Sequence, residues 1–357
     1  MSVIASVHGV LGAHRYSQEE ITASFAKIVS PQGKEIPVID RIHKATEVKY
    51  RNLALPSDAY TELNSFGAAN DTFIRIGLEL GAAAILAALN EAGLSAEEVD
   101  FVMATSVTGV ATPSLEARLV PIVGFRPDVK RVPIFGLGCV AGAAGIARIH
   151  DYLIGHPDDV AVLLSVELCS LTLQSDDVSM ANIVSSGLFG DGAAAVVMVG
   201  ERRAESMENK GPRVIASRSR IYPDTEDTMG WDIGSSGFRI VLSASVSDVV
   251  AQYLGDDVDA FLSDQGLKTS DIARWVCHTG GPKVLQGIEE SLNLHDGQLE
   301  PSWRSLAESG NLSSASVLHI LRDVLEGRGV EKPEPGTPGL LLAMGPGFCS
   351  ELVLLEW

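Results

Sequence analysis

Three residues of this chain have side chains that can do acyl chemistry together. Cys139 follows Gly138 and leads into the small-residue run VAGAAGIARI. His278 opens the stretch HTGGP (278–282), and Asn311 lies in GNLSSAS (310–316). The thiolate is the nucleophilic form of cysteine, yet a free thiol with pKa near 8.5 supplies little of it at neutral pH. A helix N-terminus favours the anion through unpaired N–H groups and the macrodipole, and a neighbouring imidazolium favours it further. The pattern predicts Cys139 at the start of a helix running to about Ile154, with its thiolate held by His278. The competing readings are a buried inert cysteine, a satisfied core histidine and an asparagine that caps its helix. Capping and a reactive carboxamide are compatible at Asn311.

The elements that must position these residues show an internal echo. Gly93-Leu94 with Glu98-Val99, leading into FVMATSVTGV, recurs 173 residues later as Gly266-Leu267 with Asp271-Ile272, leading into RWVCHTGGPKV. Gly138-Cys139 recurs 172 residues later as Gly310-Asn311, and VAVLLSVE (160–167) is echoed by GLLLAMGPG (339–347). Three matches in one order argue for duplication of an α/β unit, with halves at 1–215 and 216–357. Under a pseudo-two-fold axis Cys139 and Asn311 become equivalent, each where a strand turns through Gly into a helix. Gly142 to Gly145 and Ser313 to Ser316 would let those two helices approach closely, with His278 ending the strand beside Asn311. A separate apolar helix is expected from about Phe73 to Ala92, closed by Gly93. Alternating helices and short Val/Ile-rich strands predict a mostly parallel α/β sheet.

Composition narrows the partners. The 357 residues include 46% hydrophobic and 20% charged side chains, enough for a large core and too few charges for wholesale disorder. A formal charge of −19 repels polyanions, so nucleic acid is excluded as the expected partner. The longest uninterrupted apolar runs are shorter than the roughly 18 residues a bilayer span needs, and no basic stretch precedes the N-terminal apolar residues. Four cysteines without C-x-x-C spacing suggest neither a disulfide scaffold nor a metal site. A cytoplasmic protein with reduced thiols is expected.

Gly138-Cys139, HTGGP, GNLSSAS, LFGDGAAAVV (188–197) and the terminal GPGF (345–348) together resemble the type III polyketide synthases, chalcone-synthase-like members of the thiolase superfamily. The likeness runs from about residue 5 to the C-terminus, and is nearest the actinobacterial branch that makes alkylpyrones. It implies a five-layered αβαβα fold, a homodimer, and acyl-CoA and malonyl-CoA as substrates with no cofactor or metal. It also implies that Cys139 is acylated by the starter, while His278 and Asn311 bind the malonyl thioester and stabilise the enolate left by decarboxylation. Two fixed donors in a dry pocket are what such an oxygen needs. Phe189 matches the aromatic gatekeeper between the CoA tunnel and the cavity.

The same resemblance assigns CoA contacts to Arg41, Lys44 and Lys283, within a local basic run that also contains Lys49 and Arg51. It places Cys169, Thr172, Thr112 and Ile240 at the starter pocket, Thr112 in a loop reaching the partner's cavity and Ile240 in place of an aromatic gatekeeper. All four are smaller than the plant family's residues there. The reading is therefore a synthase that condenses medium- or long-chain acyl-CoA with malonyl-CoA and cyclises the product to alkyl-α-pyrones. Its rivals are a β-ketoacyl carrier-protein synthase III making one condensation, a resorcinol- or naphthalene-forming type III synthase, a cysteine hydrolase and a silent scaffold of the same fold.

Overall fold

The computed structural model describes residues 1–30, 33–207, 211–295 and 297–357. Its strands are β1 (Ser2–Leu11), β2 (His14–Ser17), β3 (Tyr50–Leu53), β4 (Phe101–Thr105), β5 (Lys130–Ile134), β6 (Val160–Leu168), β7 (Asp191–Gly200), β8 (Arg213–Ile221), β9 (Met229–Gly234), β10 (Gly237–Leu242), β11 (Arg274–Cys277), β12 (Pro338–Gly345) and β13 (Cys349–Glu356). The helices are α1 (Gln18–Val29), α2 (Ile36–Ala45), α3 (Phe66–Ala92), α4 (Leu115–Leu119), α5 (Ala141–Gly155), α6 (Met180–Leu188), α7 (Glu201–Glu205), α8 (Val246–Asp264), α9 (Pro282–Leu292), α10 (Glu300–Ser309) and α11 (Ser316–Glu326).

Nine strands form one mixed sheet in the order β11-β12-β13-β8-β1-β7-β6-β4-β5, and five of its eight pairings are antiparallel, not the mostly parallel arrangement that the alternation of helices and strands predicts. The echo in the sequence is visible in this order. Outward from the β1–β8 seam, the run β7, β6, β4 on one side is matched by β13, β12, β11 on the other. Directions match as well: β6 pairs β7 antiparallel and β4 parallel, as β12 pairs β13 antiparallel and β11 parallel. Strand β5 extends the first half only. The seam is short, Ser2 pairing with Val214 and Val3 with Arg213.

Alternate strand residues point to opposite faces, and the two faces bury against different helices. Ala161, Leu163, Ala194, Val196, Leu341, Ala343, Val353 and Leu355 share one core with α5 and α11. The intervening residues of the first half, Val162, Leu164, Val166, Ala195 and Val197, pack on α3. Those of the second half, Leu340, Leu342, Leu352 and Leu354, pack on α8 and α9. The layering is helix, sheet, helix pair, sheet, helix, as expected. At its centre a Cβ on Gly142 would lie 2.3 Å from the Ser314 carbonyl oxygen, so α5 and the turn before α11 approach as closely as glycine permits.

Helix α3 begins seven residues earlier than the apolar spacing predicts, because Ser65 caps it by accepting from the Ala68 N–H. At this length it is apolar and long enough to cross a membrane, the only such helix among the described residues. Here it is a core helix: Gly77 and Gly81 let it settle on Val166 and Leu164.

Candidate active site

Cys139 lies in a single tight turn, Gly138–Val140, that leads directly into α5. Gly138 has φ +58°, and a Cβ there would meet Pro346 at 2.6 Å. The GPGF loop thus packs on the turn of the nucleophile candidate and requires glycine at 138. The thiol is 7% exposed and donates to Ser313 Oγ at 3.7 Å. Burial pushes it up to about 12, the Ser313 bond opposing and the nearby Glu167 adding to the rise.

His278 follows β11, its N–H donating to the Leu342 carbonyl at 2.8 Å. Both ring nitrogens are buried without a protein partner among the described residues. Burial lowers its pKa to about 4. Both shifts run against the predicted thiolate–imidazolium pair, since burial disfavours the charged form of each group.

Asn311 is held by main chain and side chain together. Its N–H donates to Leu188 O and its carbonyl accepts from Gly190 N–H, both at 2.9 Å, a one-residue parallel bridge to Phe189. A backbone N–H can only donate, so the 2.8 Å contact from Ser313 N fixes the atom it reaches as Oδ1. Ser316 Oγ donates to the same oxygen at 3.4 Å. The amide nitrogen Nδ2 is left as a donor with no protein acceptor among the described residues. Gly310 before it has φ +70°, and a Cβ there would lie 2.5 Å from Leu188 O.

Two cavities meet at these residues. His278 and Asn311 line the smaller one, with Leu188, Leu342, Met344 and Phe348. The larger, with about 1080 Å³ of empty volume partly open to solvent, is walled by Ile21, Phe25, Ile28, Leu53, Leu173, Trp231 and others. Cys139, Phe189 and Met229 line both. Cys169, Thr172 and Ile240 line the larger cavity as expected. Thr112 is exposed and lines neither cavity of its own chain.

Arg41, Lys44 and Lys283 are all exposed. Lys44 is paired with Asp40 at 2.8 Å, while Arg41 and Lys283 form no ion pair among the described residues. Arg51 departs from the expected basic face altogether. Strand β3 pairs it with Tyr16 and turns it inward, 2% exposed, where it lines the larger cavity.

Two site features escaped the sequence reading. Glu167, the penultimate residue of β6, is fully buried, accepting from Val107 N at 3.2 Å, Thr108 Oγ1 at 2.9 Å and the Ser314 hydroxyl, with its pKa raised by burial to about 7. A carboxylate closing an otherwise apolar strand was the available signal. Trp231, on the β9–β10 hairpin, donates from Nε1 to Val107 O at 2.9 Å and forms part of the larger cavity's wall.

Residues 14–202 match the N-terminal domain of chalcone and stilbene synthases, and residues 213–356 match the C-terminal domain. The chain belongs to the chalcone and stilbene synthase family. It is 53% identical to the 1,3,6,8-tetrahydroxynaphthalene synthase of Streptomyces peucetius subsp. caesius, over 99% of this chain and 93% of that protein. Phloroglucinol synthase of Pseudomonas fluorescens is 29% identical over 100% of this chain and 99% of that one. The crystal structure of 1,3,6,8-tetrahydroxynaphthalene synthase from Streptomyces coelicolor A3(2) superposes with a TM-score of 0.92 at 30% identity, covering 99% of each chain. This protein is accordingly a type III polyketide synthase, an acyltransferase of thiolase-like fold. Enzymes of this chalcone and stilbene synthase family act on CoA thioesters and need no further cofactor.

Proposed function

We propose that Cys139 carries the growing acyl chain and that His278 and Asn311 form the decarboxylation site. The observation that carries this reading is the shared wall: Cys139 faces both cavities, His278 and Asn311 only the smaller. An acyl-CoA enters, and the Cys139 thiol attacks its carbonyl while the neutral His278 imidazole takes the proton. CoA leaves as its thiol. Malonyl thioester then places its carbonyl against His278 and the free Asn311 Nδ2. The bond to its carboxylate breaks, CO₂ departs, and the electron pair forms an enolate whose oxygen the two N–H donors hold. The enolate carbon attacks the Cys139 thioester and expels the sulfur as a thiolate, leaving the chain two carbons longer on CoA. The Cys139 thiolate then attacks that new thioester, CoA leaves, and the chain is back on Cys139 for the next round. Phe189, shared by both cavities, separates the two stations.

In this reading Arg41 and Lys283 meet the CoA phosphates. Both are exposed, and Lys283 sits between cavity residues Gly280 and Val284. Lys44 is the weaker contributor, since Asp40 already holds it.

For the product, the named relatives favour a polyhydroxylated carbocycle, the naphthalene type closed by carbon–carbon bonds. The cavity favours a second reading, an acyl-primed alkyl-α-pyrone. Its far wall of Ile21, Phe25, Ile28 and Leu173 is apolar, and past Thr172 and Leu173 it adjoins a further space reaching Asn64 and Ser236. Mass spectrometry of products from malonyl-CoA alone, and with C4 to C18 acyl-CoAs, separates them. A ten-carbon product from malonyl-CoA alone supports the carbocycle. Products whose mass follows the starter support the pyrone, and a single condensation in every case would contradict both.

A homodimer is supported by the outer edge position of β5 in the sheet, where Val132 and, just past the strand, Phe135 are exposed. Such a dimer would bring Thr112 toward the partner's cavity. Four free cysteines suit a cytoplasmic enzyme.

A further inference from the structure

The last turn of α6 leaves carbonyls that its own helix cannot satisfy, and buried ones need partners. Each has one. Ser185 O accepts from Phe189 N–H at 3.0 Å, and Gly187 O from Gln18 Nε2 at 2.7 Å and Thr46 Oγ1 at 3.2 Å. Leu188 O accepts from Asn311 N–H at 2.9 Å. The remaining two, Ser186 O and Phe189 O, are both served by a single atom, Arg51 Nη1, the second at 2.9 Å. The stem of the same side chain fills the space a Gly310 side chain would need, its Cγ and Cδ 3.2 Å from that Cβ position. A cation at a helix C-terminus is also electrostatically favourable.

We propose that Arg51 is a positioning residue that sets Phe189 and the Gly310–Asn311 turn against each other, and so fixes how the two cavities communicate. The inference rests on the roles assigned above to Phe189 and Asn311. Nothing else bonds the Phe189 carbonyl among the described residues, so without Arg51 the gate keeps its N–H bond to Ser185 O and its bridge to Asn311 but loses the tie on its carbonyl. Lysine also carries its donors on one nitrogen, as Arg51 serves both carbonyls from Nη1, but on a flexible stem without the planar guanidinium, so it holds the pair less rigidly. Methionine keeps the packing and serves neither.

The readout is the number of condensations completed per malonyl-CoA decarboxylated, which global instability does not shift because both steps share one enzyme. Arg51→Met should lower this ratio by up to about 100-fold, the scale on which a misplacement of about 1 Å acts, and Arg51→Lys should fall between Met and wild type. On a Phe189→Ala background neither substitution should change the ratio further, since the group being positioned is gone. A wild-type ratio in whichever variant folds, or the same loss on the Phe189→Ala background, overturns the assignment. If wild-type enzyme releases no CO₂ from malonyl-CoA, the underlying reading fails instead, which is a separate result.

Discussion

The Cys139 thiol and the Ser313 hydroxyl meet from opposite halves of the duplicated fold, 3.7 Å apart, each from the turn that precedes its central helix. Ser313 passes the contact on, donating to Glu167 Oε1 at 3.4 Å. The thiol therefore faces a buried carboxyl through one hydroxyl; burial is the main influence on its protonation, with Ser313 opposing it and Glu167 adding to it.

With the Cys139 thiol pushed up to about 12, the reactive thiolate is a minor species at neutral pH. Its fraction rises tenfold per pH unit below the pKa. Inactivation by iodoacetamide should accelerate across pH 6.5 to 9 with a logarithmic slope near one. Ser313→Ala should slow it, because the Ser313 bond is the largest influence favouring the thiolate. A plateau reached below pH 7 would mean that His278 pairs with a thiolate after all.

Glu167 governs stability as well. Burial raises its pKa from 4.5 to about 7, so the fold prefers the protonated acid. That stabilisation is fully present below pH 4.5 and is lost as pH rises through 7. Between pH 5 and pH 8 wild type should lose about 2 kcal/mol more unfolding free energy than Glu167→Gln, which has no charge to bury. Urea denaturation at the two pH values measures this, and parallel losses in both proteins would contradict it.

Starter acceptance should depend on the wall behind Cys139. Cys169 and Thr172 line the larger cavity, and Thr172 also borders the space beyond. Phenylalanine at either position overfills the passage. Cys169→Phe and Thr172→Phe should shift kcat/KM from long toward short acyl-CoAs, by about fourfold for each methylene no longer buried, with malonyl-CoA decarboxylation kept. Unchanged profiles across C4 to C18 would remove both residues from the starter pocket.

Much of this site was legible in the chain because it depends on turns that only certain residues can make. Gly138 and Gly310 mark the two equivalent positive-φ turns, and the residue after each is the one that faces the reaction. Arg51 was illegible for the opposite reason. Among Arg41, Lys44 and Lys49 it reads as one more solvated cation, and only the pairing of β3 with β2 turns it inward. Glu167 depends on Ser313 and Ser314, roughly half the chain away, and Trp231 on a hairpin outside the main sheet. Helix ends and partner residues show in sequence, whereas the depth of burial that raises the Cys139 thiol and lowers the His278 imidazole does not.

The central claim is that Cys139 alone carries the acyl chain, and intact-protein mass spectrometry after incubation with acyl-CoA tests it most directly. Wild type, Cys169→Ala, Cys277→Ala and Cys349→Ala should each gain the mass of one acyl group, and Cys139→Ala should gain none. An acyl adduct persisting on Cys139→Ala, or one lost from another cysteine variant that remains folded, would contradict the account.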